Sequence, residues 1–235
     1  MKTILVTGAS GFLGHHVVKE LLKTEKVNVI AIGGRPEDKV NPLPESPMLQ
    51  YYPLDALFTQ DFQDIETVIN CAFARSNDSA LLAAALDFTE KEIIRFGELQ
   101  VKSVINVFSQ GVYKRLAQGQ LSSEDAPIEP IDLYSMAKYA SEKLFKLSGI
   151  PYVTNVRLAS LYMPQRFLHF FIQKAKHGEH FTVTAPNQYA ALLDVSDAAA
   201  ALAALAILPV ERRSDTYNLG IGTQYSLLEY AQSVI

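Results

Sequence analysis

The octapeptide TGASGFLG at residues 7–14 constrains the fold more than any other stretch of the chain. Before it stands KTILVT (2–7), an apolar strand-like run; after it, Leu13, Val17, Val18, Leu21 and Leu22 recur on one helical face through residue 23. Gly8, Gly11 and Gly14 let the backbone turn tightly between the two, come close to a pyrophosphate and pack the helix onto the sheet. The N-terminus of that helix favours a phosphate's negative charge. Glycine spacing is weak on its own, and the competing reading is a tight strand-to-helix turn without a ligand. The strand before and the helix after make the motif a predicted dinucleotide site, with Ser10, Phe12 and Leu13 sharing the contact.

The alternation continues along the chain. VNVIAI (27–32) is a second strand, and MLQYYPL (48–54), TVINCAF (67–73), SVINVFS (103–109) and PYVTNVRLASLY (151–162) are further ones, with helices at about 79–96 and 134–148. Strands buried on both faces and separated by helices imply a parallel sheet with crossover helices. The predicted fold class is α/β: a doubly wound parallel sheet, Rossmann-like, in a single domain over residues 1–235.

Charge and composition exclude other classes. A net charge of -4 offers no basic excess for a nucleic acid. The most apolar stretch, AAAALAALAILPV (198–210), is shorter than the ~18 residues of a spanning helix and carries Pro209, so no membrane partner is expected. Cys71 is the only cysteine and cannot form an internal disulfide, and MKTILVTGASG lacks a secretory apolar region; the expected location is cytoplasmic. His15, His16, His169, His177 and His180 fall at mixed spacings without a cysteine or carboxylate cluster, and no metal is expected.

The end of the second strand chooses between NAD and NADP in a dinucleotide fold. An acidic side chain there binds the ribose 2′-hydroxyl, whereas this chain reads AIGGRPED. Arg35 suits a 2′-phosphate, which favours NADP(H) over NAD(H). The alternative, in which Glu37 or Asp38 curls back to the ribose, stays open. Asp55, after the third strand, can accept from the adenine amino group or serve only as a turn carboxylate.

Residues 134–143, YSMAKYASEK, contain Tyr-x-x-x-Lys twice: Tyr134 with Lys138, and Tyr139 with Lys143. About 100° per residue places Ala137, Ala140, Ser141, Leu144 and Phe145 on the stripe facing the protein body, with Tyr134 and Lys138 at its border. Tyr139 and Lys143 fall with Ser135, Glu142 and Lys146 on a face expected to be wet. The pair 134/138 is therefore assigned to the site. A phenol of pKa near 10 needs about 4 kcal/mol of preferential phenolate stabilisation to become a base three units lower, and an ammonium one helical turn away supplies part of it. Ser109, at a strand end where open α/β sheets bind ligands, can orient a substrate oxygen or merely start a turn.

Together TGASGFLG, FSQGVY (108–113) and EDAPIEPIDLYSMAKYASEKL (124–144) closely resemble the extended short-chain dehydrogenase/reductase family, in particular its NAD-dependent epimerase/dehydratase branch. VRLASLYMPQ (156–165), LLDVSDAAAA (192–201) and YNLGIG (217–222) look like further segments of that family, and the resemblance covers nearly the whole chain. It implies that Tyr134 is the general acid/base, that Lys138 lowers its pKa and holds the cofactor ribose, and that Ser109 polarises the substrate oxygen. Ala72 and Phe73 would join Gly8, Ser10, Gly11, Phe12, Leu13, Gly14, Arg35, Asp55, Tyr134 and Lys138 around the cofactor. Ser109, Gln110, Gly111 and Ser160 would face a small-molecule substrate. The lobe that binds it would come from about 163–190 and 221–235, in reduced form, and the family often forms homodimers through helices that include the Tyr-Lys helix.

Departures from the family pattern bear on the substrate. Gln110 and Gly111 stand where dehydrating members carry Asp-Glu, which argues against 4,6-dehydration. Leu158, Ser160 and Met163 replace the Pro, Asn and Gly of the usual segment, and Ala190 and Ala191 stand where an Arg-Asp pair is common. The expected activity is an NAD(P)-dependent oxidoreductase or epimerase acting on a sugar-like hydroxyl or carbonyl, including a nucleotide sugar. Two alternatives stand beside it: an NADPH-dependent reductase of a small non-nucleotide carbonyl compound, and a non-catalytic dinucleotide sensor or scaffold.

Overall fold

The computed structural model describes residues 1–34, 43–114, 120–163 and 167–235. Its elements in chain order are β1 (Lys2–Thr7), α1 (Phe12–Lys23), β2 (Val27–Gly33), β3 (Leu49–Pro53), α2 (Ala56–Thr59), β4 (Ile65–Asn70), α3 (Ser79–Glu98), β5 (Ser103–Ser109), α4 (Leu133–Leu147), β6 (Tyr152–Leu158), β7 (Ser160–Leu161), α5 (Phe167–Lys176), β8 (Tyr189–Ala190), β9 (Leu192–Leu193), α6 (Val195–Ile207), β10 (Thr216–Leu219), β11 (Tyr225–Ser226) and α7 (Leu227–Gln232). Seven strands form one sheet in the order β10-β6-β5-β4-β1-β2-β3, and every neighbouring pair in it is parallel.

Side chains alternate across the pleat, so each central strand feeds two cores. Ile4, Val6, Val29, Ala31, Ile69, Ile105 and Val156 pack against Val17, Val18 and Leu21 of α1 and Ala198, Ala199 and Leu202 of α6. Leu5, Ile30, Ile32, Val68 and Val104 pack on the other face against Phe96 of α3 and Phe145 of α4. This double burial is why the strands read as near-continuous apolar runs.

Two sequence expectations shift. The strand predicted over 67–73 begins earlier, at Ile65, and ends at Asn70, because the Asn70 side chain accepts the Ala72 amide at 3.0 Å and turns the chain out of the sheet. The strand predicted over 151–162 breaks at Ala159, whose amide donates to Leu219, so that β7 pairs separately with β9. The N-cap of α6 is Asp194, which accepts the Ser196 amide at 2.8 Å, and Asp197 lies in the first turn.

The α4 face requires a larger correction. Tyr139 is half-buried, packed by Phe108, Val112 and Tyr113, whereas Leu144 is exposed. Ser135 and Glu142, expected to be wet, are buried together with Lys138 and Ser141. The buried arc thus centres nearer Lys138 and Phe145 than the apolar stripe suggested. A polar group can sit inside when it finds a partner, and Glu142 receives two hydrogen bonds from Arg157 on β6, at 2.8 and 3.1 Å.

Candidate functional site

The sheet changes winding direction at β1. The chain builds β2 and β3 on one side of it, then crosses to place β4 on the other, and such a reversal opens a crevice at the strand C-termini. Gly8 and the exit of β4 meet there. Gly8 has φ +68°, and a Cβ on it would stand 2.8 Å from both the Ala72 amide nitrogen and the Cys71 carbonyl carbon. A Cβ on Gly14 would come within 2.3 Å of the Gly8 carbonyl oxygen. The two glycines therefore leave a cradle that any side chain would fill. Gly11 caps α1 without a side chain and the first turn carries no acid, so its amides and dipole face the crevice uncompensated. Geometry and charge fit a pyrophosphate.

Ser10 extends the cradle toward β2 by accepting the Gly34 amide at 2.8 Å, and the Tyr51 hydroxyl donates to the Gly34 carbonyl. Asp55 is exposed at the start of α2 and shares a depression of about 400 Å³ with Gly34, Leu54 and Phe58, one strand away from the glycine turn. Arg35, Glu37 and Asp38 lie outside the described residues. Phe12 and Leu13 begin α1, and the Phe12 ring meets His16 edge-on.

Across the crevice, α4 presents its first two turns. Asp132 caps it by accepting the Ser135 amide at 2.7 Å, which fixes the start of the helix. Tyr134 follows, half-buried, with its ring edge-on to Phe73 at 6.3 Å. One turn later the buried Lys138 donates from Nζ to the Val107 carbonyl at 2.8 Å, and its ammonium lies 4.3 Å from the centre of the Phe73 ring. Phe73 thus touches both members of the pair. Ser109 ends β5, and its hydroxyl accepts the Gly111 amide at 3.1 Å. A Cβ on Gly111 would stand 2.9 Å from the Ser135 hydroxyl and 3.2 Å from that of Ser109, so two hydroxyls flank this glycine. Ser135 was not a sequence candidate, and only its place inside the helix cap reveals it.

Desolvation sets the electrostatics. Burial pulls the Lys138 ammonium down to about 8, partly opposed by Cys71 and Glu92. Desolvation of its sulfur pushes the Cys71 thiol up to about 12, although the residue keeps some exposed surface. Beneath the site a polar ladder crosses the sheet: Thr7 donates to Asn70 at 2.7 Å, Asn70 to Asn106 at 3.3 Å and Asn106 to Asn155 at 3.1 Å. These four residues stand in register on neighbouring strands, a pattern hidden until the strands are paired.

Beyond Ser109 opens a cleft of about 830 Å³, lined by Gln110, Gly111, Ser135, Asn187, Tyr189 and Asn218 among others. Ser160 lies in β7 beside it, and Ala159 supplies the wall at that point. Arg157 also reaches the cleft wall but is engaged by Glu142, by the Tyr113 hydroxyl at 2.6 Å and by the Glu124 carbonyl at 2.8 Å. Lys114 faces Glu129 at 3.5 Å. Among the described residues, both cations of the cleft therefore have carboxylate partners. No group of three or more metal-ligating side chains and no helix long and apolar enough to cross a membrane occurs among the described residues.

Known proteins resemble the chain in sequence and in fold. The UDP-N-acetylglucosamine 4,6-dehydratase (inverting) of Campylobacter jejuni is 32% identical over 154 residues, 61% of this chain and 42% of that protein. The UDP-glucose 4-epimerase of Rickettsia akari is 26% identical over 216 residues, 83% of this chain and 60% of that protein. Among solved structures, MoeE5 in complex with UDP-glucuronic acid and NAD superposes with a TM-score of 0.82 at 25% identity, covering 99% of this chain and 81% of its own. The chain spans only 42% to 60% of the length of the curated relatives it matches. The sequence pattern of the NAD dependent epimerase/dehydratase family matches residues 4–220, from the first strand through the glycine cradle, the Tyr-Lys helix and the β10 turn, and the chain belongs to that family.

Proposed function

We propose that this chain is a nicotinamide-dinucleotide-dependent oxidoreductase or epimerase acting on a hydroxyl or carbonyl of a sugar-like substrate, with a nucleotide sugar the leading class. One observation carries the reading: Lys138 is buried, anchored to the end of β5 and one helical turn from Tyr134, on the crevice that the glycine cradle opens. The residues around the crevice fit the dinucleotide. Gly8, Ser10, Gly11 and Gly14 would hold its pyrophosphate, and Asp55 its adenine end. When bound, the nicotinamide supplies hydride acceptance and donation. Tyr134 moves the proton at the substrate oxygen, Lys138 stabilises the phenolate that results, and Ser109 with Ser135 orients and shares the developing charge on that oxygen.

A preference for NADP(H) rests on Arg35 and its neighbours in the sequence. In this reading the protein is cytoplasmic and pairs as a homodimer, as the family resemblance implies. A second reading, reduction of a small non-nucleotide carbonyl compound, is favoured by Lys114 and Arg157, the two cations lining the cleft among the described residues, being already paired, since a diphosphate is best clamped by unengaged guanidinium groups. That reading keeps 4,6-dehydration disfavoured, with Gln110 and Gly111 beside Ser109 offering no acid or base.

Fluorescence titration with NADPH and NADH tests the cofactor, with Arg35→Ala as the comparison. Selective loss of NADPH affinity in the variant supports the 2′-phosphate reading. Incubation with UDP-glucose, UDP-N-acetylglucosamine and simple carbonyl compounds then separates the substrate classes. An epimerase converts the UDP-sugar without net absorbance change, whereas a reductase consumes NADPH stoichiometrically. Absence of binding by either dinucleotide overturns the proposal and leaves the scaffold alternative.

A further inference from the structure

Two consecutive residues, Asn77 and Asp78, cap two different helices. Asp78 accepts the Leu81 amide at 2.9 Å and starts α3, whereas Asn77 accepts the Tyr134 amide at 3.1 Å and so acts on α4, 57 residues further along the chain. Helix α4 has its own cap, but Asp132 takes only the Ser135 amide. The Tyr134 amide belongs to the first turn, where backbone donors have no acceptor within the helix. Asn77 brings that acceptor from another segment. The bodies of α3 and α4 pack together, with Glu92 of α3 fully buried, and the Asn-Asp pair joins their N-termini. Residues 71–78, which carry Asn77, reach from the glycine cradle to α4. Cys71 and Ala72 back directly onto Gly8, and Asn70 holds that end by accepting the Ala72 amide at 3.0 Å. Phe73 then meets the Tyr134 ring edge-on and the Lys138 ammonium on its face. This one segment therefore touches the cradle and both members of the Tyr-Lys pair, and it grips the tyrosine twice, at its ring and at its backbone.

We propose that Asn77 is a positioning residue of the Ser-Tyr-Lys site: by holding the Tyr134 amide it fixes the start of α4 against the segment that backs onto the cradle, and so sets where the phenol stands relative to a bound dinucleotide. The role rests on the function proposed above, since the place of the phenol matters because Tyr134 moves the proton. A misplacement of about 1 Å costs on the order of 10²-fold in rate, so a single backbone bond at the root of this side chain has leverage on turnover. An Asn that only caps a helix contributes to stability and leaves the chemistry of the folded protein alone. Asn77 is exposed, so replacing it opens no hole in the core, and the two roles can be told apart.

Asn77→Leu keeps the bulk of the side chain and removes the acceptor, whereas Asn77→Asp keeps an acceptor oxygen at the same place. Tyrosine labelled with ¹³C at Cε, with the Tyr134 resonance identified by its loss in Tyr134→Phe, reports the place of the ring beside Phe73 without substrate or cofactor. That resonance should move in Asn77→Leu and stay in Asn77→Asp. With whichever UDP-sugar or simple carbonyl compound the wild type turns over, kcat in Asn77→Leu should fall about 10-fold while KM and dinucleotide affinity stay within about twofold, and Asn77→Asp should recover the loss. A Tyr134 resonance that stays put in Asn77→Leu overturns the proposal, and so does a kcat that remains at the wild-type level there or is lost equally in Asn77→Asp. If Asn77→Leu does not fold, Asn77→Ala decides in its place. A wild type that turns over none of these compounds while the resonance moves refutes the proposed function and leaves the hold on Tyr134 standing.

Discussion

Replacing the Tyr134 phenol by a phenyl ring removes one oxygen and the proposed acid/base with it. Turnover in Tyr134→Phe should drop at least 10²-fold while dinucleotide affinity, read by fluorescence, stays within a few-fold. Tyr139→Phe keeps the packing of that ring on Phe108, Val112 and Tyr113 and should leave turnover near wild type. Equal losses in the two variants would refute the choice between the overlapping pairs. Gly14→Ala makes a different demand, because its Cβ would stand 2.3 Å from the Gly8 carbonyl oxygen, a backbone atom that cannot rotate away. We expect a destabilisation of about 1–3 kcal/mol in urea and loss of dinucleotide binding; unaltered binding would sink the cradle's assignment. At this scale the sequence was legible wherever a residue's neighbours are also its sequence neighbours. TGASGFLG announces its turn for that reason, whereas Glu92 sits in TEKEIIR and reads as one more solvated charge.

The two ends of this contrast meet in α4. Its N-terminal half, Tyr134 to Lys138, was readable from spacing, but the face it buries was not. The apolar stripe through Leu144 predicted one orientation, and the helix turns instead toward Ser135, Lys138 and Glu142 because their partners come from elsewhere: Val107 on β5 and Arg157 on β6. Hydrophobic periodicity has no knowledge of a guanidinium 15 residues further on. The Arg157–Glu142 pair, at 6% and 7% side-chain exposure, is thus a tie between α4 and the sheet directly behind Lys138. Removing one partner leaves the other charge buried and unpaired. Arg157→Met should therefore cost about 3–5 kcal/mol in urea unfolding, and Arg157→Met combined with Glu142→Leu should recover most of that loss. If the double variant is as unstable as the single, the cost lies in Arg157's bonds to Tyr113 and Glu124 rather than in the ion pair.

At the scale of the whole molecule, the doubly wound sheet was legible because its central strands, buried on both faces, leave an apolar signature, while the half-buried edge strand β10 and the short strands β7, β8, β9 and β11, two residues each, leave none. The core that makes the sheet legible also seals two titratable groups inside it, and global stability must register them. Glu92 has its carboxyl raised from 4.5 in an open chain to about 8 in the fold. The folded state then holds a proton that the unfolded state releases, so this contribution is complete below about pH 4.5 and is lost as pH rises toward 8. Lys138, lowered from 10.5 to about 8, has the opposite sense: its contribution is complete above about 10.5 and is lost as pH falls toward 8. The two together place a minimum of stability near pH 8. Substituting Glu92→Gln removes the first slope and keeps the shape of the side chain. Urea unfolding at pH 5, 6 and 7 should therefore show wild type losing stability relative to Glu92→Gln by about 1 kcal/mol per pH unit, with all exposed carboxylates cancelling in the difference. Parallel curves for the two proteins would mean that Glu92 is already ionised in the fold at pH 5, and that the wedge between α3 and α4 is far wetter than its packing indicates.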